Sequence, residues 1–92
     1  MKYRYNEDLY LENLFNYVNG TYNEHYVAKD IQVIDIWQSM DSLDTTARDT
    51  AIKYLMRHGK KDGKNRKDLL KAIHYIMLMM YAEDSILKGE QQ

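Results

Sequence analysis

The stretch RKDLLKAIHYIMLMMYAEDSIL, from Arg66 to Leu87, decides the fold. Its apolar residues recur at helical spacing and cover one broad face, made of Leu69, Leu70, Ile73, Ile76, Met77 and Met80. The central segment YIMLMMYA (Tyr75–Ala82) is apolar or tyrosine at every position. A helix that is apolar all round has to be covered on all sides. We therefore expect a long apolar C-terminal helix that is central to an oligomer interface, the alternative being a core helix with exposed methionines.

Three shorter helices are expected before this one. The 92 residues include no proline and only four glycines, which favours helices throughout. The first helix is predicted over residues 6–19, with Asn6 as its cap and Asn19–Gly20 as its stop. Its expected buried stripe is Leu11, Leu14, Phe15 and Val18. The whole pattern predicts one all-α domain over residues 1–92, built as a small bundle of about four helices.

The second and third helices have weaker signals. Asp30 can cap the second, although the β-branched run from Ile31 to Ile36 also fits a strand. The expected buried stripe of the second helix is Val33, Ile36, Trp37 and Met40, with Ile31 and Ile34 beside it. The third is expected to be capped by Asp44 or Thr45 and to end at His58–Gly59. Its expected inward residues are Ala51, Ile52, Leu55 and Met56.

The charge distribution points to a small anionic ligand. The net charge is −1, yet the segment from Arg57 to Lys67 contains six basic residues and one acid. A compact positive patch on an otherwise acidic chain attracts a small phosphorylated ligand and disfavours long nucleic acids, the alternative being a solvated loop. No apolar stretch reaches the roughly 20 residues of a membrane span. The acids near the N-terminus argue against a secretory signal.

Several kinds of chemistry are excluded by what the motifs lack. There is no cysteine, so disulfides and thiolate sites are absent. The segment GKKDGKN (Gly59–Asn65) has neither the spacing of a P-loop nor its Ser or Thr. His25, His58 and His74 have no metal-ligand spacing, so we expect no metal site from them. No standard catalytic motif remains.

What remains is a group of residues suited to phosphate. Lys53 and Arg57 are four residues apart on one helix face, and the loop that follows adds Lys60, Lys61 and Lys64. The N-terminus of the last helix contributes further positive potential. Asp68, Lys71 and Tyr75 share a face of that helix because their spacing is i, i+3, i+7. The alternative is an interhelical salt-bridge network of Lys53, Arg57, Asp68 and Lys71.

The chain also resembles a known family. The order of His25–Tyr26, IQVIDIW (Ile31–Trp37), AIKYLMRHGKKDG (Ala51–Gly63) and DLLKAIHYI (Asp68–Ile76) is similar to that of small phage-encoded nucleotide-kinase-like proteins without a P-loop, over about residues 24–80. The resemblance implies a phage origin, the host cytoplasm, a helical oligomer and the handling of deoxynucleotide phosphates. The site positions that match the family are His25, Tyr26, Asp35, Lys53, Tyr54, Arg57, Lys60, Lys61, Asp68, Lys71 and Tyr75.

Two functions of different classes fit this pattern. The first is a (deoxy)nucleoside monophosphate kinase, with Asp35 or Asp68 as candidate catalytic acids that help to hold Mg²⁺. The second is a non-catalytic sponge that sequesters a nucleotide immune signal of the host. Gln32 and Asp49–Thr50 depart from the family pattern, which usually has Glu and Gly-Asn there, and the departures weaken catalysis more than binding. A DNA-binding module is a weaker third hypothesis because the chain outside one loop is acidic.

Overall fold

The regular elements of the chain are helices. A computed structural model describes residues 2–23, 33–60 and 63–91, with the backbone alone for residues 86–91, and contains no strand in these ranges. In chain order the helices are α1 (Glu7–Thr21), α2 (Val33–Ser39), α3 (Leu43–Arg57) and α4 (Arg66–Gln91). The predicted all-α fold with about four helices is confirmed. In the described part of the chain, no helix is both long enough and apolar enough to cross a membrane.

The chain divides into two compact units, Met1–Asp30 and Ile31–Gln92. The first unit contains α1, whose first turn has two acids that suit the positive end of a helix. Asn6 is the N-cap residue of α1, as predicted, but its backbone is left-handed (φ 61°) and its side chain makes no capping hydrogen bond. The predicted buried stripe is wrong, because Leu11 and Phe15 are exposed and α1 has no buried residue.

The second unit is organised by α3 and α4, which form an antiparallel hairpin. Leu43 near the start of α3 clusters with Ala82 of α4, whereas Arg57 at the end of α3 pairs with Asp68 near the start of α4. The buried apolar residues of the two helices are four alanines and one leucine: Leu43, Ala47, Ala51, Ala72 and Ala82. Small side chains let two helix backbones approach closely, so the hairpin core is a seam of alanines.

Three residues of α3 that are predicted to face the core are exposed instead. Ile52, Leu55 and Met56 expose 46%, 52% and 62% of their surface, so this prediction is wrong for them and correct only for Ala51. The physical reason is the alanine seam, which has its own helical spacing and fits the close contact with α4. On α4, likewise, the face expected to be covered includes four residues that remain exposed: Ile73, Ile76, Met77 and Met80.

Helix α2 packs on the hairpin with a different face from the one predicted. Ile34 and Trp37 contact the core cluster, whereas Val33, Ile36 and Met40 are exposed. The Gln38 amide Nε2 donates to the Tyr81 hydroxyl at 3.3 Å, which joins α2 to α4. The core role expected of Trp37 is thus confirmed. The predicted cap of α2, Asp30, lies outside the described residues.

A short turn connects α2 to α3. Asp41 has a left-handed backbone (φ 57°), which aspartate tolerates better than most residues. Ser42 is the residue that precedes α3, so the prediction that Asp44 or Thr45 caps this helix is wrong; Asp44 lies in the first turn. The Ser42 hydroxyl donates to the carbonyl of Trp37 at 3.2 Å. The turn is therefore fixed by bonds back to α2. The other end of α3, at Arg57 with His58 as its C-cap, agrees with the prediction.

The alanine seam makes a prediction about volume. Ala47 is fully buried, so Ala47→Leu would push α3 away from α4 and lower the free energy of unfolding by about 1–3 kcal/mol. The matched control is Thr45→Leu on the exposed surface of the same helix, for which a change within about 0.5 kcal/mol is expected. Urea denaturation followed by circular dichroism measures both. Equal effects of the two substitutions would contradict the close packing of α3 on α4.

Candidate functional site

Six polar and aromatic residues meet at the loop end of the α3–α4 hairpin. We call them the basic cluster; they are Lys53, Tyr54 and Arg57 of α3 and Asp68, Lys71 and Tyr75 of α4. The last turn of α3 and the first turns of α4 supply them because the two helices are antiparallel. The two sets of residues that the sequence analysis placed on separate helix faces therefore lie together in the structure.

The ring of Tyr54 lies at the centre of the basic cluster. The Lys53 ammonium is 4.6 Å from the centroid of this ring, and the Lys71 ammonium, from the other helix, is 5.1 Å from it. The ring of Tyr75 is stacked near the same ring, with 6.1 Å between centroids and 21° between planes. Cation–π attraction holds each ammonium in place while leaving its N–H donors available. Two positive charges are thus brought to one aromatic ring.

Arg57 of α3 and Asp68 of α4 form an ion pair between the same two helices. Arg57 Nε lies 3.6 Å from Asp68 Oδ1, and only 6% of the Asp68 side chain is exposed. Burying a carboxylate is costly unless a cation compensates it, so Arg57 is held against α4. The second oxygen, Asp68 Oδ2, is buried and receives no hydrogen bond from the residues that the structure describes. The pair orients one basic side chain of the cluster.

The structure contains only part of the salt-bridge network that is the alternative to a phosphate site. Arg57 and Asp68 do pair between helices, as that hypothesis predicts. Lys53 and Lys71 contact the Tyr54 ring instead, and within the described ranges no carboxylate oxygen lies within 4.0 Å of either ammonium. These two charges are therefore not neutralised by a described acid of the chain. An external anion is the partner that such charges favour.

The loop after α3 is closed by hydrogen bonds across its base. His58 Nδ1 lies 3.0 Å from the Asn65 carbonyl oxygen, and the Gly59 amide donates to the Gly63 carbonyl at 2.8 Å. Gly59 and Gly63 both have positive φ, 87° and 69°, which glycine adopts without strain. The Asn65 side chain accepts from the Lys67 amide at 2.9 Å and so caps α4. Gly63 and Asn65 thus form the turn that leads into α4.

The remaining predicted site residues are less closely placed. Lys60 and Lys64 are exposed on the loop, where their charges extend the positive end of the hairpin. Asp35 is exposed on α2. His25, Tyr26 and Lys61 lie outside the described residues. No group of three or more His, Cys, Asp or Glu side chains that could hold a metal ion occurs in the part of the chain that the structure describes.

Sequence reasoning missed two features of the second unit. His74 is buried on α4, and burial lowers the pKa of its imidazole, so the fold favours the neutral ring. At the end of the hairpin away from the loop, a cavity of about 360 Å³ is lined by Gln38, Asp41, Leu43, Asp44, Ala82 and Ser85. The hairpin is therefore basic at its loop end and acidic at the other. The spacing of Asp41, Asp44, Glu83 and Asp84 was the available signal for this polarity.

The comparison with protein families shows where the chain belongs. Residues 20–77, more than half of the chain, match the model described as protein of unknown function (DUF3310). The chain belongs to the DUF3310 family. The DUF3310 match includes all six residues of the basic cluster and ends within α4, between Ile76 and Leu78. No curated protein and no solved structure matches this DUF3310 chain.

The buried ion pair predicts coupling between Arg57 and Asp68. Arg57→Met leaves the Asp68 carboxylate without its cation and is expected to lower the free energy of unfolding by about 2–4 kcal/mol. Asp68→Leu in addition should recover much of that loss, giving a coupling energy above about 1 kcal/mol in a double-mutant cycle. The control cycle uses the exposed pair Arg48–Asp49 (Nε–Oδ1 3.3 Å), for which less than about 0.5 kcal/mol is expected. Similar coupling in the two cycles would refute the role of burial.

The loop geometry predicts a cost for a side chain at Gly59. A Cβ there meets only Lys64 Cγ, at 3.9 Å, so Gly59→Ala acts through the positive φ and should destabilise by about 1 kcal/mol. Gly20→Ala is the matched control, because Gly20 lies within α1 with open space around its Cα. This control should be neutral or stabilising by up to about 1 kcal/mol. Thermal unfolding measures the change in stability of both variants. Stabilisation by Gly59→Ala would contradict the loop geometry.

Proposed function

We propose that this DUF3310 protein binds a phosphorylated nucleotide at the basic cluster. The observation that carries the proposal is the pair of ammonium groups, Lys53 and Lys71, brought to the Tyr54 ring from two helices. Both are held in position, and neither lies within ion-pair distance of a carboxylate in the described ranges. A phosphate group supplies the missing negative charge and accepts hydrogen bonds from both.

The surroundings of the two lysines favour a phosphate over a carboxylate ligand. Lys60 and Lys64 on the loop and the N-terminus of α4 add positive potential at the same end of the hairpin. Several phosphates in a row would engage more of these charges than one carboxylate does. Tyr54 and Tyr75 supply aromatic and hydroxyl groups suited to a base or a ribose. The resemblance to phage nucleotide-kinase-like proteins supports the same class of ligand.

Two activities would use such a site, and the state of Asp68 favours one of them. A kinase needs a carboxylate to hold Mg²⁺, and Asp68 is buried and paired with Arg57. That leaves Asp35 as the other proposed catalytic acid. Binding without chemistry needs neither, so sequestration of a nucleotide signal is the function that we favour, with phosphoryl transfer as the second candidate. In either case we propose a phage protein that acts in the host cytoplasm and self-associates.

The proposed function predicts capture of a nucleotide by the whole chain. The protein is incubated with ATP and Mg²⁺, deoxynucleoside monophosphates and cyclic and ADP-ribose-type nucleotides, washed, and heated, and the released molecules are identified by mass spectrometry. We expect one nucleotide to be enriched and released unaltered. Lys53→Ala/Lys71→Ala should weaken binding at least about tenfold, because two charge-assisted contacts are lost.

The controls separate the site from charge in general. Arg48→Ala removes a basic residue of α3 that lies five positions before Lys53 and outside the basic cluster, and it should leave capture unchanged. Circular dichroism checks that the lysine variant folds, since each cation–π contact contributes only about 0.5–1 kcal/mol. Diphosphates formed from monophosphates would establish the kinase in place of sequestration. No enriched nucleotide, or equal capture by the lysine variant, would overturn the proposal; steeply salt-dependent binding of duplex DNA instead would favour the DNA-binding hypothesis.

A further inference from the structure

Both helices of the α3–α4 hairpin expose large apolar residues. We call this set the apolar flank; its members are Ile52, Leu55 and Met56 of α3 and Ile73, Ile76, Met77 and Met80 of α4. Their exposed fractions run from 39% to 62%. Together they present on the order of 600 Å² of apolar surface, at the upper limit for a soluble monomer. A surface of this size and composition calls for a partner.

The two helices contribute to the same side of the hairpin. Lys53 and Lys71 reach one ring, so they mark one side of the α3–α4 contact. On each helix, the two lysines are rotated away from the α3–α4 contact in one direction. In an antiparallel pair of helices, residues that are rotated away from the contact in the other direction lie together on the opposite side of the pair. Leu55 of α3 and Ile76 of α4 are displaced in that sense. Leu55, Ile73, Ile76 and Met80 therefore lie on the side of the hairpin away from the two lysines, whereas Met56 lies at the edge of the flank, about 60° from Lys53 around α3.

We propose that the apolar flank binds the same flank of a second copy of this chain, with the two α4 helices antiparallel about a two-fold axis. The area supports this occupant, because about 800 Å² per partner is the usual size of a stable interface and the flank supplies most of it. A two-fold axis lets one apolar surface cover an identical one. This inference extends the self-association proposed above and does not depend on nucleotide binding.

The charges at the two ends of the flank set the antiparallel direction. Arg66 and Asp84 are 18 residues apart on α4, five helical turns, so they lie on one line with Ile73 and Met77 between them. A two-fold axis on the flank, at the level of residue 75 along α4, relates each Arg66 to the partner copy's Asp84 position and each Ile73 to its Met77 position. Among the residues whose side chains the structure describes, seven around Arg66 are basic and one is acidic: Lys53, Arg57, Lys60, Lys64, Arg66, Lys67, Lys71 and Asp68. Around Asp84 the described side chains include the acids Asp41, Asp44, Asp49 and Glu83 and the basic residue Arg48.

This charge polarity selects a second copy in one orientation. Antiparallel packing brings the basic end of each hairpin to the acidic end of the other, whereas parallel packing brings like charges together. The apolar residues at the centre of the flank supply the affinity between the two copies. The charges at the two ends of the hairpin set their antiparallel orientation. The other possible occupant of the flank is α1, whose own apolar residues Leu11 and Phe15 are exposed, and the experiment distinguishes the two.

The experiment measures the mass of the full chain by sedimentation equilibrium across the micromolar range. We expect the mass of two chains for the wild type. Met77→Glu, close to the proposed axis, should raise the dissociation constant at least about tenfold, because it buries a charge in the apolar centre. Met40→Glu is the matched control on an exposed methionine outside the flank, and it should leave the mass of two chains unchanged. Circular dichroism verifies that each variant is helical.

A charge exchange tests the direction independently of the apolar substitution. Asp84→Arg should weaken the dimer, and Arg66→Glu/Asp84→Arg should restore it, because the two-fold axis pairs these positions. A wild type with the mass of one chain would overturn the proposal. So would a dimer that Met77→Glu leaves intact, and so would one that Phe15→Glu dissociates while Met77→Glu does not, since α1 would then form the interface. Failure of the double exchange to restore the dimer would overturn the antiparallel arrangement.

Discussion

The close contact of α3 with α4 through alanine is the constraint on which the rest of the structure depends. Ala47, Ala51, Ala72 and Ala82 are buried where larger side chains would hold the helices apart. Because the seam is narrow, long side chains beside it reach across from one helix to the other. The Lys71 ammonium can therefore approach the ring of Tyr54, and Arg57 can pair with Asp68. The same constraint turns the large apolar residues outward. The close packing of α3 on α4 thus accounts for both the basic cluster and the apolar flank.

The parts of the structure that the sequence predicts are those that depend on spacing along one helix. The i, i+4 and i, i+3, i+7 intervals place Lys53 with Arg57 and Asp68 with Lys71 and Tyr75, as expected. Helix α4 begins at Arg66, as its apolar periodicity predicts. These features follow from the geometry of a single helix. The contact between α3 and α4 then determines which residues of one helix lie next to which residues of the other.

The predictions that are wrong concern the choice between two periodic stripes on the same helix. On α3 the larger residues Ile52, Leu55 and Met56 have helical spacing, and so do Leu43, Ala47 and Ala51. Hydrophobicity favours the first stripe, whereas close approach of two helices favours the second. The sequence does not give the distance between the axes of α3 and α4, so it does not show which of the two stripes is buried. The two lysines at Tyr54 were missed for a related reason, since their meeting requires the register of α3 on α4.

The basic cluster and most of the apolar flank lie on different sides of one hairpin, so the proposed binding and the proposed self-association use different residues. Lysine charges held by an aromatic ring suit an anion that enters from solvent. An apolar surface between opposite charges suits a copy of itself. Membership in the DUF3310 family ties the basic cluster to a shared region of sequence, residues 20–77. The account therefore rests on the basic cluster as an anion site.

The measurement that tests this most directly is a titration of the full chain with ATP, followed by NMR of the lysine ε-methylene groups. Lys53 and Lys71 should have distinct signals because the Tyr54 ring current acts on them. The account predicts that these two signals shift first and saturate together, ahead of the exposed loop lysines. Equal, non-saturating shifts of all lysines, or shifts confined to the loop, would show non-specific charge screening and would contradict a site at Tyr54.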